Sequence, residues 1–176
     1  MSNLRLINET IVNSSVTTVD VTDVFTSDFD IYKIVFNDMS KSNTTARNVD
    51  MRYINSSGSI ISANYDYARL LIPAYTSFVE SKATNQTLLA GIFSSVDGTT
   101  GFASNGVVYV FNPTNTSSYT FNLQQSTQSG SGGYYAEKQI GVLKQTNSIT
   151  GFRAIVTSNE TINSGNIKTY GLRVDS

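Results

Sequence analysis

The chain contains no cysteine and no histidine, and only 14% of its 176 residues carry charge. Without cysteine there are no disulfides, so stability has to come from packing, and the fold is indifferent to redox compartment. The double absence also removes the ligand sets of most zinc and copper sites, every Ser-His-Asp triad and every thiol nucleophile. Long apolar runs are missing too. No stretch approaches the roughly 20 residues needed to span a bilayer, and "MSNLRLINETIVNSS" lacks a positive flank, an apolar stretch and a small-residue cleavage site. No signal peptide and no membrane are expected. Twelve Lys and Arg against thirteen Asp and Glu leave a net charge of −1. That field is too weak to hold phosphate backbones, so nucleic acid is not an expected partner.

Ser, Thr, Asn and Gly stand where charge is missing, beside ten Tyr and nine Phe. The small polar residues supply turns and outer faces, and the aromatics supply bulky material suited to strands. A chain of this length makes one domain and buries roughly 70% of its unfolded surface. Strand-length apolar or alternating runs recur between Ser/Asn/Gly/Asp clusters: "VTTVDV", "IYKIVF", "VDMRYIN", "SIISANYDY", "LLAGIFSS", "GVVYVFNP", "SYTFNLQ", "KQIGVLK", "GFRAIVTS" and "IKTYGLRV". The reading is an all-β, jelly-roll-like antiparallel β-sandwich of about 8–10 strands.

Several local expectations follow. Ser56-Ser57-Gly58 closes a hairpin between its flanking strands. "YARLLIPAY" reads as a turn of helix or an irregular crossover, and Pro113 ends a strand. "QQSTQSGSGG", residues 124 to 133, has the composition of an exposed mobile loop. Thr161-Ile162 and "IKTYGLRV" form a last hairpin about Ser164-Gly165, with Tyr170 and Leu172 buried and Gly171 marking a close approach or a bulge. Residues 1–10 are set apart as an N-terminal attachment arm, and residues 11–176 form the single sandwich domain.

Reactive chemistry finds little footing. Paired carboxylates could in principle cleave glycosidic bonds, but the acids are scattered singly among turns and strand ends, so no enzyme and no cofactor are expected. Asp28 and Asp30 in "TSDFD", with Asp20 and Asp23 nearby, offer oxygen ligands for a hard cation, but without the bend glycine and bidentate Glu of an EF-hand; an Asx-type turn is favoured. "GSGG" has no following Lys-Ser/Thr and is no phosphate loop. Seven Asn-X-Ser/Thr sequons, among them Asn8, Asn43, Asn55, Asn85 and Asn159, are ascribed to a chain that is about a quarter Ser and Thr.

Two tyrosine pairs stand out, Tyr65 with Tyr67 and Tyr134 with Tyr135. Beside small polar loops, such rings stack on sugars or anchor a subunit interface. The competing reading puts one ring of each pair in the core and the other over the sheet edge.

Four segments, "VFTSDFDIYKIVFNDM", "DMRYINSSGSIISANYDY", "GVVYVFNPTNTSSYTF" and "TGFRAIVTSNETINSGNIKTYGLRVDS", resemble in their order small virion structural proteins and fibre modules of tailed phages, especially those of marine bacteria and cyanobacteria. The resemblance runs from about residue 11 onward and is thinnest over 70–100 and 124–133. It implies a jelly-roll-like sandwich displayed on a virion as a symmetric homo-oligomer, a trimer by expectation, decorating or cementing the capsid beside other virion proteins. The chain would be made in the host cytoplasm. The alternative is a tail-fibre or receptor-binding module that recognises host surface glycans. An enzyme acting on surface polysaccharide ranks third.

Overall fold

A computed structural model describes residues 4–130, 133–158 and 160–173. Twelve strands run through them: β1 Leu4–Val12, β2 Thr18–Val21, β3 Ile31–Lys41, β4 Arg47–Asn55, β5 Tyr65–Pro73, β6 Val79–Gln86, β7 Leu89–Val96, β8 Ser104–Phe111, β9 Thr120–Gly130, β10 Gly133–Leu143, β11 Ile149–Val156 and β12 Ile162–Leu172. All pair antiparallel, in an eight-stranded sheet ordered β1-β12-β3-β8-β9-β10-β5-β6 and a four-stranded sheet ordered β2-β11-β4-β7.

Two hairpins set aside, the order is that of a jelly roll. Strands β1, β12, β3 and β8 lie in one layer and β2, β11, β4 and β7 in the other, so the chain alternates between layers as it winds. The hairpins β5–β6 and β9–β10 are additions that extend the first layer beyond β8. The all-β sandwich expected from composition is therefore the fold, with twelve strands where about 8–10 were expected. The extra strands are those with the weakest patterns. β6, "VESKATNQ", is polar and largely exposed, and "YARLLIPAY", expected as a helical turn or crossover, lies mainly in β5 and is held on both sides by β10 and β6.

The core lies where the eight jelly-roll strands face one another. β3 alternates cleanly, with Tyr32, Ile34 and Phe36 fully buried between half-buried Ile31, Lys33 and Val35. Phe36 meets Phe93 edge-on at 5.9 Å and Phe152 at 6.3 Å, so rings from β3, β7 and β11 interlock across the layers. Burying each such side chain contributes about 1.5–3 kcal/mol.

Four local expectations are corrected. Ser56-Ser57-Gly58 does turn the chain, with Gly58 at φ +78° and its N–H on the Asn55 carbonyl at 2.9 Å. The returning arm, however, keeps only an Ile54–Ile60 bridge before crossing to the other layer as β5. The segment 124–133 is not a loop: residues 124–130 belong to β9 and Gly133 opens β10, with 131 and 132 outside the described residues. Ser164-Gly165 is no hairpin turn either, because Ile162–Leu172 is a single strand with register shifts at Ser164 and Asn166. Those shifts reverse the expected faces: Ile167, Thr169 and Gly171 point into the core, while Tyr170 and Leu172 are half-buried on the outer side. Gly171 serves as a seat for the Phe29 ring, which lies against its Cα where a side chain would stand.

Of residues 1–10, set apart in sequence as an arm, 4–10 are described and belong to β1, which pairs with β12 from Leu4 opposite Leu172 to Val12 opposite Gly165. They are the edge of the large sheet rather than a free extension.

Candidate functional site: an inside-out sheet face

The polarity of the sheet extension is reversed. Along β9 the buried side chains are Thr120, Asn122, Gln124, Ser126, Gln128 and Ser129, while Phe121 and Leu123 face outward at 48% and 47% exposure. β10 repeats the pattern, with Glu137 and Gln139 buried and Ile140 exposed at 58%. In an antiparallel sheet with one solvated face, the apolar set should point inward.

Two members of the inward polar set, Gln124 and Gln128, have a definite job. β7 is the last strand of the small sheet, and a bare strand edge carries unpaired amides and carbonyls. Gln124 donates to the carbonyls of Gly91 at 2.6 Å and Ile92 at 2.8 Å, and the Gln128 side-chain carbonyl accepts from the Ser95 N–H at 2.8 Å. Successive carbonyls can turn toward one side because β7 bulges there. Four steps on β7, Leu89 to Phe93, face two on β4, Met51 to Val49, and Gly91 sits at φ +71°.

Behind these contacts lies a small ionic cluster. Glu137 accepts from Ser94 at 2.7 Å and from Gln128 at 2.9 Å, with Arg69 at 3.5 Å, and Arg69 also donates to Ser94 at 2.8 Å. Asp50 accepts from the Gly91 N–H at 2.6 Å. Burial pushes the Asp50 carboxyl up to about 6 against the opposing pull of that N–H and of Arg69. Burial raises Glu137 as well, opposed by Ser94, Arg69 and Gln128. Asp50 ties the β7 bulge to β4, and Glu137 holds β7 against β9 and β10. Among the described residues, no group of three or more Asp or Glu gathers to hold a metal ion. Asp20 is bidentate on Arg153 at 2.5 and 2.6 Å, and the Asp30 carbonyl accepts from the Asn112 N–H.

The outward set forms a continuous surface. One cross-strand row runs Leu6, Tyr170, Lys33 and Tyr109 over β1, β12, β3 and β8. It continues through Leu123, Ile140, Ala68 and Lys82 over β9, β10, β5 and β6. Val107 and Leu70 extend the apolar character to one side of this row, and Phe111, Phe121 and Val142 to the other. Two adjoining troughs of about 830 and 630 Å³ open on this face, both lined by Ala68, Leu123, Ile140 and Lys82.

The four tyrosines read from sequence do not gather. Tyr65 is fully buried; its hydroxyl accepts from the Tyr53 N–H at 2.9 Å and donates to the Ile61 carbonyl at 3.0 Å, pinning the crossover between layers. It is therefore corrected from a contact residue to a core residue, out of reach of any partner. Tyr67 packs against the core with Arg69 5.9 Å from its ring. Tyr134 and Tyr135 do sit at an exposed tip. Tyr135 meets Tyr75 edge-on at 5.6 Å, Tyr134 lies 6.2 Å from Phe102, and the hydroxyl contact with Tyr75 pushes the Tyr135 phenol up to about 12. A depression of about 420 Å³ lies beside these rings, floored by Ile72, Pro73 and Ala136. Tyr75 and Phe102 join the pair through folding alone, and nothing in their sequence neighbourhood marks them.

Of the sequons, Asn8 lies on β1, Asn43 and Asn55 cap turns, and Asn85 occupies a left-handed position at φ +55°; Asn159 falls outside the described residues. Comparison with known proteins gives no matching family model, no matching curated protein and no matching solved structure.

Proposed function

We propose that the chain is a structural subunit of a tailed-phage particle, displayed on its surface, where it decorates or cements the capsid as a symmetric homo-oligomer beside other virion proteins. The observation that carries this reading is the reversed alternation of β9 and β10, which spends buried positions on Gln124, Gln128 and Glu137 and turns Phe121, Leu123 and Ile140 outward. A fold that presents a broad apolar sheet face acts by being covered, and large exposed apolar patches mark sites of association. The jelly-roll winding agrees with the resemblance of the four sequence segments to virion proteins. Attachment is reassigned from a free arm to this face, since residues 4–12 are an edge strand.

The test is to label purified virions of a phage encoding the chain with an antibody against it and image them. Regular label over the capsid supports decoration. Label at fibre tips moves the chain to the receptor-binding alternative, and particles without label overturn both. The alternative draws on a separate observation, the exposed cluster of Tyr134, Tyr135, Tyr75 and Phe102, since aromatic tips on loops and strand ends stack on sugar rings.

A further inference from the structure

We infer that Asp50, Glu137 and Arg69 form a proton-operated clasp around Gly91, which holds the added hairpins against β7 while it carries a proton and lets that part of the extension lift from β7 once the proton is lost. The inference goes beyond the assembly reading above and does not depend on it.

Gly91 is where the clasp closes. Its missing side chain leaves a space that the Arg69 guanidinium enters: a Cβ on Gly91 would overlap Arg69 Nη1 and lie 3.2 Å from Glu137 Oε1. Asp50 meets the same residue from β4 by accepting its N–H at 2.6 Å. The Asp50 and Glu137 residues are only 2% and 1% exposed, and the guanidinium between β5 and β7 lies 3.5 Å from Glu137 and donates to Ser94 at 2.8 Å.

The charges do not balance when both acids are ionised. Asp50 and Arg52 come from β4, Arg69 from β5 and Glu137 from β10, while β7 and β9 contain no charged residue and bring only the neutral Ser94 and Gln128. Arg52 is half-buried and its Nε donates to the Thr87 carbonyl at 3.1 Å, which leaves Arg69 as the cation between the two carboxylates. Two buried carboxylates facing one guanidinium keep a proton more readily than they accept a surplus negative charge. In agreement, burial raises both carboxyls, Asp50 to about 6, and the Glu137 charge adds to the rise at Asp50.

The way the extension is fastened decides which part moves. Its apolar anchors in the core are Tyr65 and Leu143, which stand opposite each other on β5 and β10, with Tyr67 packed beside them. About 20 Å further along β10, at Glu137, the ties to β7 are polar: Glu137 accepts from Ser94 at 2.7 Å, and Gln128 accepts from the Ser95 N–H at 2.8 Å. Opening therefore parts the polar end, while the apolar end and the β8–β9 ladder stay closed. Water then solvates both carboxylates, and the retained proton is no longer needed.

Amide hydrogen exchange of the full chain measures the opening at the Ser95 N–H, followed by NMR from about pH 5 to 7.5 and corrected for the intrinsic rate. The opening constant should rise at least about tenfold over this range, the ratio expected for one carboxyl at about 6 when closed and 3.8 when open. The rise should belong to an opening with little denaturant dependence, because the apolar core remains shut. It should disappear in Asp50→Asn, whose side-chain carbonyl can still accept from Gly91. Ser95 exchange that ignores pH, that proceeds only through global unfolding with its full denaturant slope, or that keeps its pH dependence in Asp50→Asn overturns the inference. If Asp50→Asn does not fold, the first two outcomes in the native chain still decide it.

Discussion

Gln124 and Gly91 join the two layers of the sandwich at the point where the small sheet ends. The Gln124 amide reaches the Gly91 carbonyl at 2.6 Å, and the bulge at Gly91 brings the Ile92 carbonyl within 2.8 Å of the same nitrogen. One side chain thereby satisfies two backbone acceptors that an edge strand would otherwise leave bare. The arrangement fixes which way β9 faces: with Gln124 inward, Leu123 has to point out.

Gln124→Met keeps the volume and removes the donor. The expected loss in urea unfolding is about 1–3 kcal/mol, the cost of two unsatisfied buried carbonyls. Gln124→Glu should lose more at pH 7, because a carboxylate then faces those oxygens, and should regain part of the loss on acidification as the protonated acid donates once. Equal losses at both pH values would dissociate Gln124 from the β7 edge.

Stability should rise as pH falls from about 7.5 to 5. Asp50 has its folded-state carboxyl raised from the ordinary 3.8 to about 6, with burial as the main cause, and Glu137 is raised for the same reason. A raised carboxyl binds its proton more tightly when folded, so its contribution is fully present below the unfolded value and is lost as pH rises through the folded one. For Asp50 that contribution is at most about 3 kcal/mol. Glu9 and Asp66 are held low by hydrogen bonds and lysine charges, so their opposite effect belongs to more acid conditions. Thermal melts across this range should show the trend in the native chain and a flatter profile, with higher stability at pH 7.5, in Asp50→Asn. A melting temperature that falls between pH 7.5 and 5 would contradict it.

Glycan arrays separate the two readings of function. Under the capsid reading the purified chain shows no saturable glycan binding. Binding that disappears in Tyr134→Ala, a 65% exposed position whose loss should change stability by less than about 0.5 kcal/mol, would transfer the assignment to receptor recognition.

The jelly-roll half of the molecule was readable because its strands alternate with apolar residues inward, as in "IYKIVF", where Tyr32, Ile34 and Phe36 fill the core. The extension was not, for a physical reason. "SYTFNLQ" alternates just as well, but alternation has a phase as well as a period, and the phase depends on which partner waits on each side. Only the distant β7 edge, needing donors and acceptors, turns Gln124 and Gln128 inward and makes a strand of what composition marks as a loop. The same logic governs the tip: Tyr134 and Tyr135 were legible as a pair, whereas Tyr75 and Phe102 are brought beside them by the pairing of β5 with β10 and the loop after β7. On β12, two bulges shift the register, and no local signal tells which face then turns inward.

The two added hairpins also set a timetable. β5 and β6 are made early but find their neighbour only on β10, with Ala68 opposite Ile140 about seventy residues further along the chain. A polypeptide leaving the ribosome therefore carries β5 paired only with β6, its β10 side bare, until most of the molecule exists. Such late closure slows acquisition of the native state relative to folds dominated by nearby contacts. The β5–β10 pairing should accordingly gain amide protection after the local β9–β10 hairpin during refolding.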